Sequence, residues 1–154
     1  MHDRPSSSTT EKGQWAEDAA VSLLEMAGLE ILGRNVVAGG VELDVIARER
    51  GDRGDTFIFV EVRSRAHAGR GDPLETVDAR KRARIVRGAT AWLVAQGLWE
   101  RVYVRFDVIS ALGPLGGPAD ARGEGSPRGN GPGDLAPQAA AAPELRWLKG
   151  AFEA

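Results

Sequence analysis

The chain has 154 residues, 42% of them hydrophobic and 27% charged, which is enough for one globular domain with a hydrophobic core. It has no cysteine and only two histidines, so disulfides, thiolate metal sites and zinc sites are not expected. It also has no signal peptide pattern and no apolar run of the roughly 18 residues that span a bilayer, so we expect a cytoplasmic location and no membrane contact. The net charge of -2 argues against a protein that coats nucleic acid indiscriminately, although residues 61–105 form a basic block with ten basic and five acidic side chains.

The first predicted element is an amphipathic helix. Residues 1–10 are polar and predicted to be disordered. Over residues 11–27 the apolar positions follow helical spacing, and Gly28 suits a C-terminal cap. The apolar positions are Trp15, Ala19, Ala20, Leu23, Leu24 and Ala27. Glu17 lies beside this stripe, so its side chain faces either solvent or a site at the edge of the sheet.

Three predicted strands follow, and two of them carry acidic residues. Residues 29–38 form the first strand, which ends at a Gly-Gly turn. In residues 41–46, apolar residues alternate with Glu42 and Asp44, so the two carboxylates are expected on one face. In residues 57–63, Glu61 and Arg63 point the same way, about 7 Å apart along the strand.

The connection between these last two strands is short, charged and contains glycine, which is typical of antiparallel neighbours. Pairing of the strands is therefore expected to bring Asp44, Glu61 and Arg63 together at one edge of the sheet.

A second helix is predicted over residues 78–96, after a loop over residues 64–77. Asp78 suits the N-cap and Gly97 the stop. Its apolar stripe is Ile85, Val86, Ala89, Trp92, Leu93 and Gln96. Its first turns carry Arg80, Lys81, Arg82, Arg84 and Arg87. These cations form either a solvated helix face or a binding site for phosphate, which would offset their mutual repulsion.

The remaining chain completes an α/β pattern. Residues 102–109 alternate as a strand, and residues 144–152 are apolar enough for a final strand that pairs with it. Residues 113–143 contain eight Gly and six Pro and are predicted to be a flexible Gly/Pro/Ala-rich insertion. The expected fold is an α/β sandwich with a central mixed β-sheet flanked by helices, in one domain formed by residues 11–112 and 144–154.

The acidic strands allow two interpretations. Carboxylates from adjacent strands suit a hard divalent ion such as Mg²⁺, which binds oxygen ligands and keeps waters for a substrate phosphate. The same residues also fit a structural ion-pair network on a half-exposed sheet. The spacing alone does not separate these interpretations.

Ordered sequence blocks resemble the YraN-like family of small uncharacterised bacterial proteins. The blocks are Gly13-Gln-Trp-Ala-Glu17, Asn35, Glu42-Leu-Asp-Val-Ile46, Phe59-Val-Glu-Val-Arg63, Lys81, Arg105-Phe-Asp-Val108 and Trp147-Leu-Lys-Gly-Ala-Phe152. That family resembles restriction-endonuclease-like, or PD-(D/E)xK, nucleases and archaeal Holliday-junction resolvases. The resemblance covers residues 11–110 and 144–152 and implies a restriction-endonuclease-like sandwich.

The resemblance also implies roles for individual residues. Asp44 and Glu61 match the two acidic metal ligands, for Mg²⁺ or Mn²⁺, and Glu17 matches the acidic residue of the first helix. Arg63 stands where the motif has lysine, and it can stabilise an anionic transition state but cannot act as a base. Lys81 resembles a basic position of the family and is the nearest candidate for a substitute.

The implied function is that of a nucleic-acid-binding protein of nuclease fold. One hypothesis is a divalent-metal-dependent endonuclease for structured DNA, with DNA favoured over RNA and a homodimer as one assembly. The alternative is a catalytically inactive nucleic-acid-binding or protein-interaction module.

Overall fold

The described part of the chain contains seven secondary-structure elements, which follow one another in the predicted order. The computed structural model describes residues 7–65, 77–112 and 144–154. The elements are α1 (Ser7–Met26), β1 (Glu30–Ala38), β2 (Val41–Glu49), β3 (Thr56–Arg65), α2 (Ala79–Ala95), β4 (Tyr103–Leu112) and β5 (Glu144–Phe152). The predicted insertion over residues 113–143, most of the predicted loop over residues 64–77 and the first six residues lie outside the described part.

The strands form one five-stranded mixed sheet in the order β1-β2-β3-β4-β5. Neighbouring strands are antiparallel except for β3 and β4, which α2 connects in parallel. The predicted pairing of the last strand is confirmed, since β5 runs antiparallel to β4 from Leu112↔Glu144 to Phe106↔Phe152. The prediction of an α/β sandwich with a mixed sheet is likewise confirmed.

Each helix covers one face of the sheet, because alternate strand residues point to opposite sides. On the α1 face, two apolar helix residues, Ala20 and Leu24, pack against Val45, Ile58 and other strand residues. On the α2 face, the helix contributes Ile85, Ala89 and Leu93 to a core with aromatic strand residues. The aromatic residues are Phe57, Phe59, Phe106 and Phe152.

Helix α1 differs from its prediction in position and in its buried face. It begins at Ser7, so residues 7–10, which the sequence analysis places in a disordered N-terminus, are helical. Trp15, predicted to lie in the core, is 39% exposed, whereas Ala16 is 1% exposed. The centre of the buried stripe is therefore formed by Ala16, Ala20 and Leu24, which are spaced by four residues. The two alanines are small and allow α1 to lie close to the sheet.

The predicted caps at Asp78, Gly28 and Gly97 are confirmed. Asp78 is the N-cap of α2, where its carboxylate accepts a hydrogen bond from the N–H of Arg80. Gly28 and Gly97 follow the two helices with φ angles of 84° and 69°, in the left-handed region that glycine adopts without a Cβ clash. Gln96, predicted in the apolar stripe of α2, is instead its exposed C-cap. Neither described helix combines the length and the apolar character needed to cross a membrane.

Candidate functional site

The site lies where β2 separates from β3, inside the sheet rather than at its edge as predicted. Register pairs between the two strands run from Glu49↔Thr56 to Val45↔Val60 and end there. At the next residue of β2, the N–H of Val62 donates to the Asp44 carboxylate at 2.8 Å. The side chain of Asp44 thus takes the position of a main-chain acceptor between the diverging strands.

The face of β2 changes at Asp44. Leu43 packs in the core on the α2 face and Val45 in the core on the α1 face. Residues two apart in a regular strand share a face, so the backbone turns at Asp44. The prediction of a single alternation along this strand is therefore wrong. Opposite Asp44, between the pairs Arg34↔Val45 and Val36↔Leu43, Asn35 of β1 has a φ of 49°.

Asp44 and Glu61 bring two carboxylates together in a place with little access to water. Glu61 is 8% exposed, and Asp44 is partly buried. Burial, which is the largest cause, and the charges of Glu61 and Glu17 together raise the pKa of Asp44 to about 7, although the hydrogen bond from Val62 and the charge of Lys81 act in the opposite direction. The acidic pair expected from the sequence is thus present. Its burial costs free energy, because few water molecules can solvate the two charges.

Glu17 reaches this place from α1. The amide of Asn35 donates to its carboxylate at 2.8 Å, and the guanidinium of Arg34 lies 4.0 Å away. Its side chain is 17% exposed and its charge acts on Asp44. Of the two predicted alternatives for Glu17, the structure shows the orientation toward the site. Asn35, for which the sequence alone gave no role, holds this carboxylate in place.

Lys81 reaches the site from α2 and forms an ion pair with Glu61. The approach depends on Gly88, which lies two turns later on the same side of the helix. A Cβ at Gly88 would meet side-chain atoms of Leu43 and Val41 at 3.1 Å, so the glycine allows α2 to lie close to β2. The ammonium of Lys81 thereby reaches a carboxylate that is otherwise buried.

Arg63 lies two residues beyond Glu61 on β3, so strand geometry places both residues on the same face, which is the face that α2 covers. Its register partner on β4 is Ser110, whose hydroxyl is buried and makes no hydrogen bond to the described residues. Arg63 and Ser110 are therefore paired across the two parallel strands, two residues beyond Glu61.

The donor set limits which metal the site can hold. Among residues 7–65, 77–112 and 144–154, no three Asp, Glu or His side chains are placed to hold an ion by themselves. Asp44 and Glu61 offer two carboxylates with further positions left for water. This matches Mg²⁺, which proteins bind through one or two carboxylates and several waters.

Comparison with known proteins identifies the family. The model of "Uncharacterised protein family UPF0102" matches residues 16–111. The chain belongs to UPF0102. The resemblance to YraN-like bacterial proteins is therefore confirmed.

Relatives match over different parts of this chain. A UPF0102 protein of Nitratidesulfovibrio vulgaris strain Hildenborough is 43% identical over 97 residues, which are 63% of this chain and 69% of the relative. A UPF0102 protein of Pseudomonas putida strain W619 is 35% identical over 149 residues, covering 97% of this chain and 98% of the relative. Another from P. putida strain KT2440 is 36% identical over 146 residues, 95% of each chain. The site residues of β2 and β3 lie inside the range of the UPF0102 match.

Two sequence blocks of this UPF0102 protein meet at a second buried acid, Asp107. Its carboxylate is fully buried and accepts two hydrogen bonds from the guanidinium of Arg105, at 2.9 and 3.0 Å. It accepts two more, from the indole of Trp147 at 3.0 Å and the N–H of Gly150 at 2.9 Å. Asp107 therefore fastens β5 to β4 and serves the fold. In the sequence, Asp107 and its partners Trp147 and Gly150 belong to two of the blocks that resemble the family, and no other feature pointed to this contact.

The five predicted nucleic-acid-binding cations of α2 divide into three groups. Lys81 contacts Glu61, as described above. Arg82 donates to the carbonyl of Val77 at 2.7 Å and lies 5.9 Å from the ring of Phe152, so the protein itself occupies its guanidinium. The third group consists of three exposed arginines, Arg80, Arg84 and Arg87. Their spacings of four and three residues place them along the outer side of α2.

Proposed function

We propose that this UPF0102 protein is a divalent-metal-dependent endonuclease of restriction-endonuclease-like fold that acts on structured DNA. The observation that carries the proposal is the pair of carboxylates, Asp44 and Glu61, held between two separating strands with little access to water. The mixed sheet with one helix on each face is compatible with that fold.

The pair stores repulsion that a metal ion relieves. Within the described part of the chain, Asp44 accepts one hydrogen bond, from the N–H of Val62, and this bond and the charge of Lys81 offset only part of the effect of burial and of Glu61. The raised pKa of Asp44 shows that this balance disfavours the charged form. An acid with so little compensation is typical of functional sites, where strongly perturbed pKa values are concentrated.

Each residue of the site has its own role in the proposed reaction. Asp44 and Glu61 hold Mg²⁺ or Mn²⁺, which when bound activates water and neutralises charge on the phosphodiester. Arg63, always protonated, stabilises the negative charge that develops on the phosphate. Glu17 orients groups beside Asp44 from the other face of the sheet.

Substrate binding uses a separate surface. The three exposed arginines on the outer side of α2 offer charges for the nucleic-acid backbone. DNA is favoured over RNA by the likeness of the family to resolvases, and this preference remains a prediction.

A second candidate function is a catalytically inactive nucleic-acid-binding module. The observation in its favour is that Lys81 already neutralises Glu61, as a permanent ion pair would. The presence of Arg63 where the motif has lysine also favours the inactive module.

The experiment that separates the two candidates measures binding and cleavage together. Purified protein is incubated with branched, flapped and linear DNA and with RNA, in Mg²⁺, Mn²⁺ or EDTA. The proposal expects metal-dependent cleavage that Asp44→Ala abolishes while DNA binding persists, and that Glu42→Ala, an exposed neighbour on β2, retains. DNA binding without cleavage in any metal supports the inactive module, and absence of both overturns the two candidates.

A further inference from the structure

The ammonium of Lys81 occupies the carboxylate that the proposed metal site requires. We propose that Lys81 is a built-in counter-ion of Glu61 that a divalent metal displaces, and that the displaced lysine then binds the phosphate of the nucleic acid. This inference rests on the proposed metal site and adds a coupling between metal binding and nucleic-acid binding.

The contacts of the two residues support displacement rather than a shared site. Lys81 contacts one oxygen of Glu61, and its charge also acts on Asp44. A metal ion held by these two carboxylates would stand against the same ammonium in a place of low dielectric, where like charges repel strongly. The ammonium and the metal therefore compete for one position.

Exposure gives Lys81 a path away from Glu61. The side chain of Lys81 is 46% exposed, whereas that of Glu61 is 8% exposed, so the lysine enters from solvent onto a fixed acid. Lysine carries a compact charge on a flexible stem of four carbons and can turn without movement of the helix. In this respect it differs from Arg82, which contacts a carbonyl and an aromatic ring.

The direction of release leads toward the arginines of α2. Arg84 lies three residues after Lys81 and is therefore its neighbour on the helix surface. A lysine released from Glu61 adds a fourth cation to Arg80, Arg84 and Arg87 at the end nearest the carboxylates. Metal binding would then strengthen phosphate binding beyond what the metal contributes by itself.

Lysine NMR tests the displacement directly and without any activity measurement. The sequence has three lysines, Lys12, Lys81 and Lys149. The ammonium of Lys149 lies 4.3 Å from the centre of the Trp147 ring, so its signals are shifted by the ring current and serve as an internal reference. With ¹³C-labelled lysine, addition of Ca²⁺ or Mg²⁺ is expected to move the Lys81 Cε signal toward its position in a free lysine while the Lys149 signal stays in place.

Metal affinity supplies the second readout. Lys81→Met is expected to tighten Mn²⁺ binding about tenfold in the absence of nucleic acid, within the range of ordinary coupling between sites. Lys149→Met, which removes the same charge from β5, should leave Mn²⁺ affinity unchanged. With a four-way branched DNA in Ca²⁺, Lys81→Met should also reduce the factor by which metal improves DNA affinity.

The outcomes distinguish the inference from the function on which it rests. If the wild-type protein binds no divalent ion, or if Asp44→Ala binds Mn²⁺ as well as the wild type, the proposed metal site is wrong. If Mn²⁺ binds through Asp44 but the Lys81 signal does not move and Lys81→Met does not tighten binding, the metal site stands and the displacement is wrong.

Discussion

Substitution of Asp44 by Asn should stabilise the metal-free protein at neutral and alkaline pH. The native pKa of this carboxyl is raised to about 7 by burial and by Glu61, whereas an unfolded aspartate titrates near about 3.9. Because the native state holds the proton more tightly, the contribution of Asp44 to stability is fully present below about pH 4 and is lost as pH rises to about 7.

The magnitude follows from the difference between the two pKa values. One pKa unit corresponds to about 1.4 kcal/mol, so the full difference corresponds to at most about 4 kcal/mol. Asparagine keeps an oxygen that accepts the hydrogen bond from Val62 but carries no charge. Since its amide still needs a partner, which costs up to about 2 kcal/mol at every pH, we expect Asp44→Asn to raise the free energy of unfolding by about 2 to 4 kcal/mol at pH 8 and to leave it unchanged or lower it by up to about 2 kcal/mol at pH 4.

The assay is urea unfolding in EDTA at intervals from pH 4 to pH 8, for the wild type, Asp44→Asn and Glu42→Gln. Glu42 is an exposed acid on the same strand, and its substitution should change stability little at any pH. Added Mg²⁺ should stabilise the wild type alone and thereby reduce the difference in free energy of unfolding between the wild type and Asp44→Asn. A difference between wild type and Asp44→Asn that stays constant with pH, or a loss of stability at pH 8, would refute the reasoning.

Three further predictions follow from other contacts. Asp107→Asn should lower the free energy of unfolding by about 3 to 5 kcal/mol in urea, because it unbalances a buried charged pair, whereas Asp18→Asn in an exposed pair should cost under about 1 kcal/mol. Gly88→Val should cost about 1 to 3 kcal/mol by overpacking against β2, measured by the same method. Arg84→Met should reduce the slope of log K against log salt for DNA by about 1, and Arg82→Met should leave that slope unchanged. An equal effect of both arginine substitutions on the slope would contradict the division of the α2 cations.

The sequence predicted the order and type of the elements because those depend on local patterns. Alternation located the strands, and residues with special backbone needs, such as Gly28 and Gly97, located the helix ends. The prediction for Trp15 was wrong because helical spacing defines a stripe within a few tens of degrees only. Which side of that stripe meets the sheet depends on close packing by Ala16 and its neighbours, and this is a property of the assembled layers.

In the candidate site, too, the sequence predicted what depends on local patterns and missed what depends on tertiary contacts. Asp44 and Glu61 were brought together by a strand pairing that a short connection predicts. The turn of β2 at Asp44 was missed because it depends on contacts with two different cores, which alternation in one strand does not report. The ion pair between Lys81 and Glu61 joins residues separated by a crossover connection, so no local pattern could predict it.

Asp107, which is fully buried, and Asp44, which is partly buried, differ in the supply of hydrogen-bond donors. Asp107 is completely buried, yet four hydrogen bonds, two of them from a guanidinium, compensate its charge. Asp44 is less buried, accepts a hydrogen bond from one donor among the described residues, the N–H of Val62, and lies near the charges of Glu61, Glu17 and Lys81. A fold that provides a complete set of donors for one acid had the means to do so for the other. Under the proposed function, Asp44 keeps this deficit because it binds a cation, and the free energy of unfolding gained by Asp44→Asn measures the uncompensated charge.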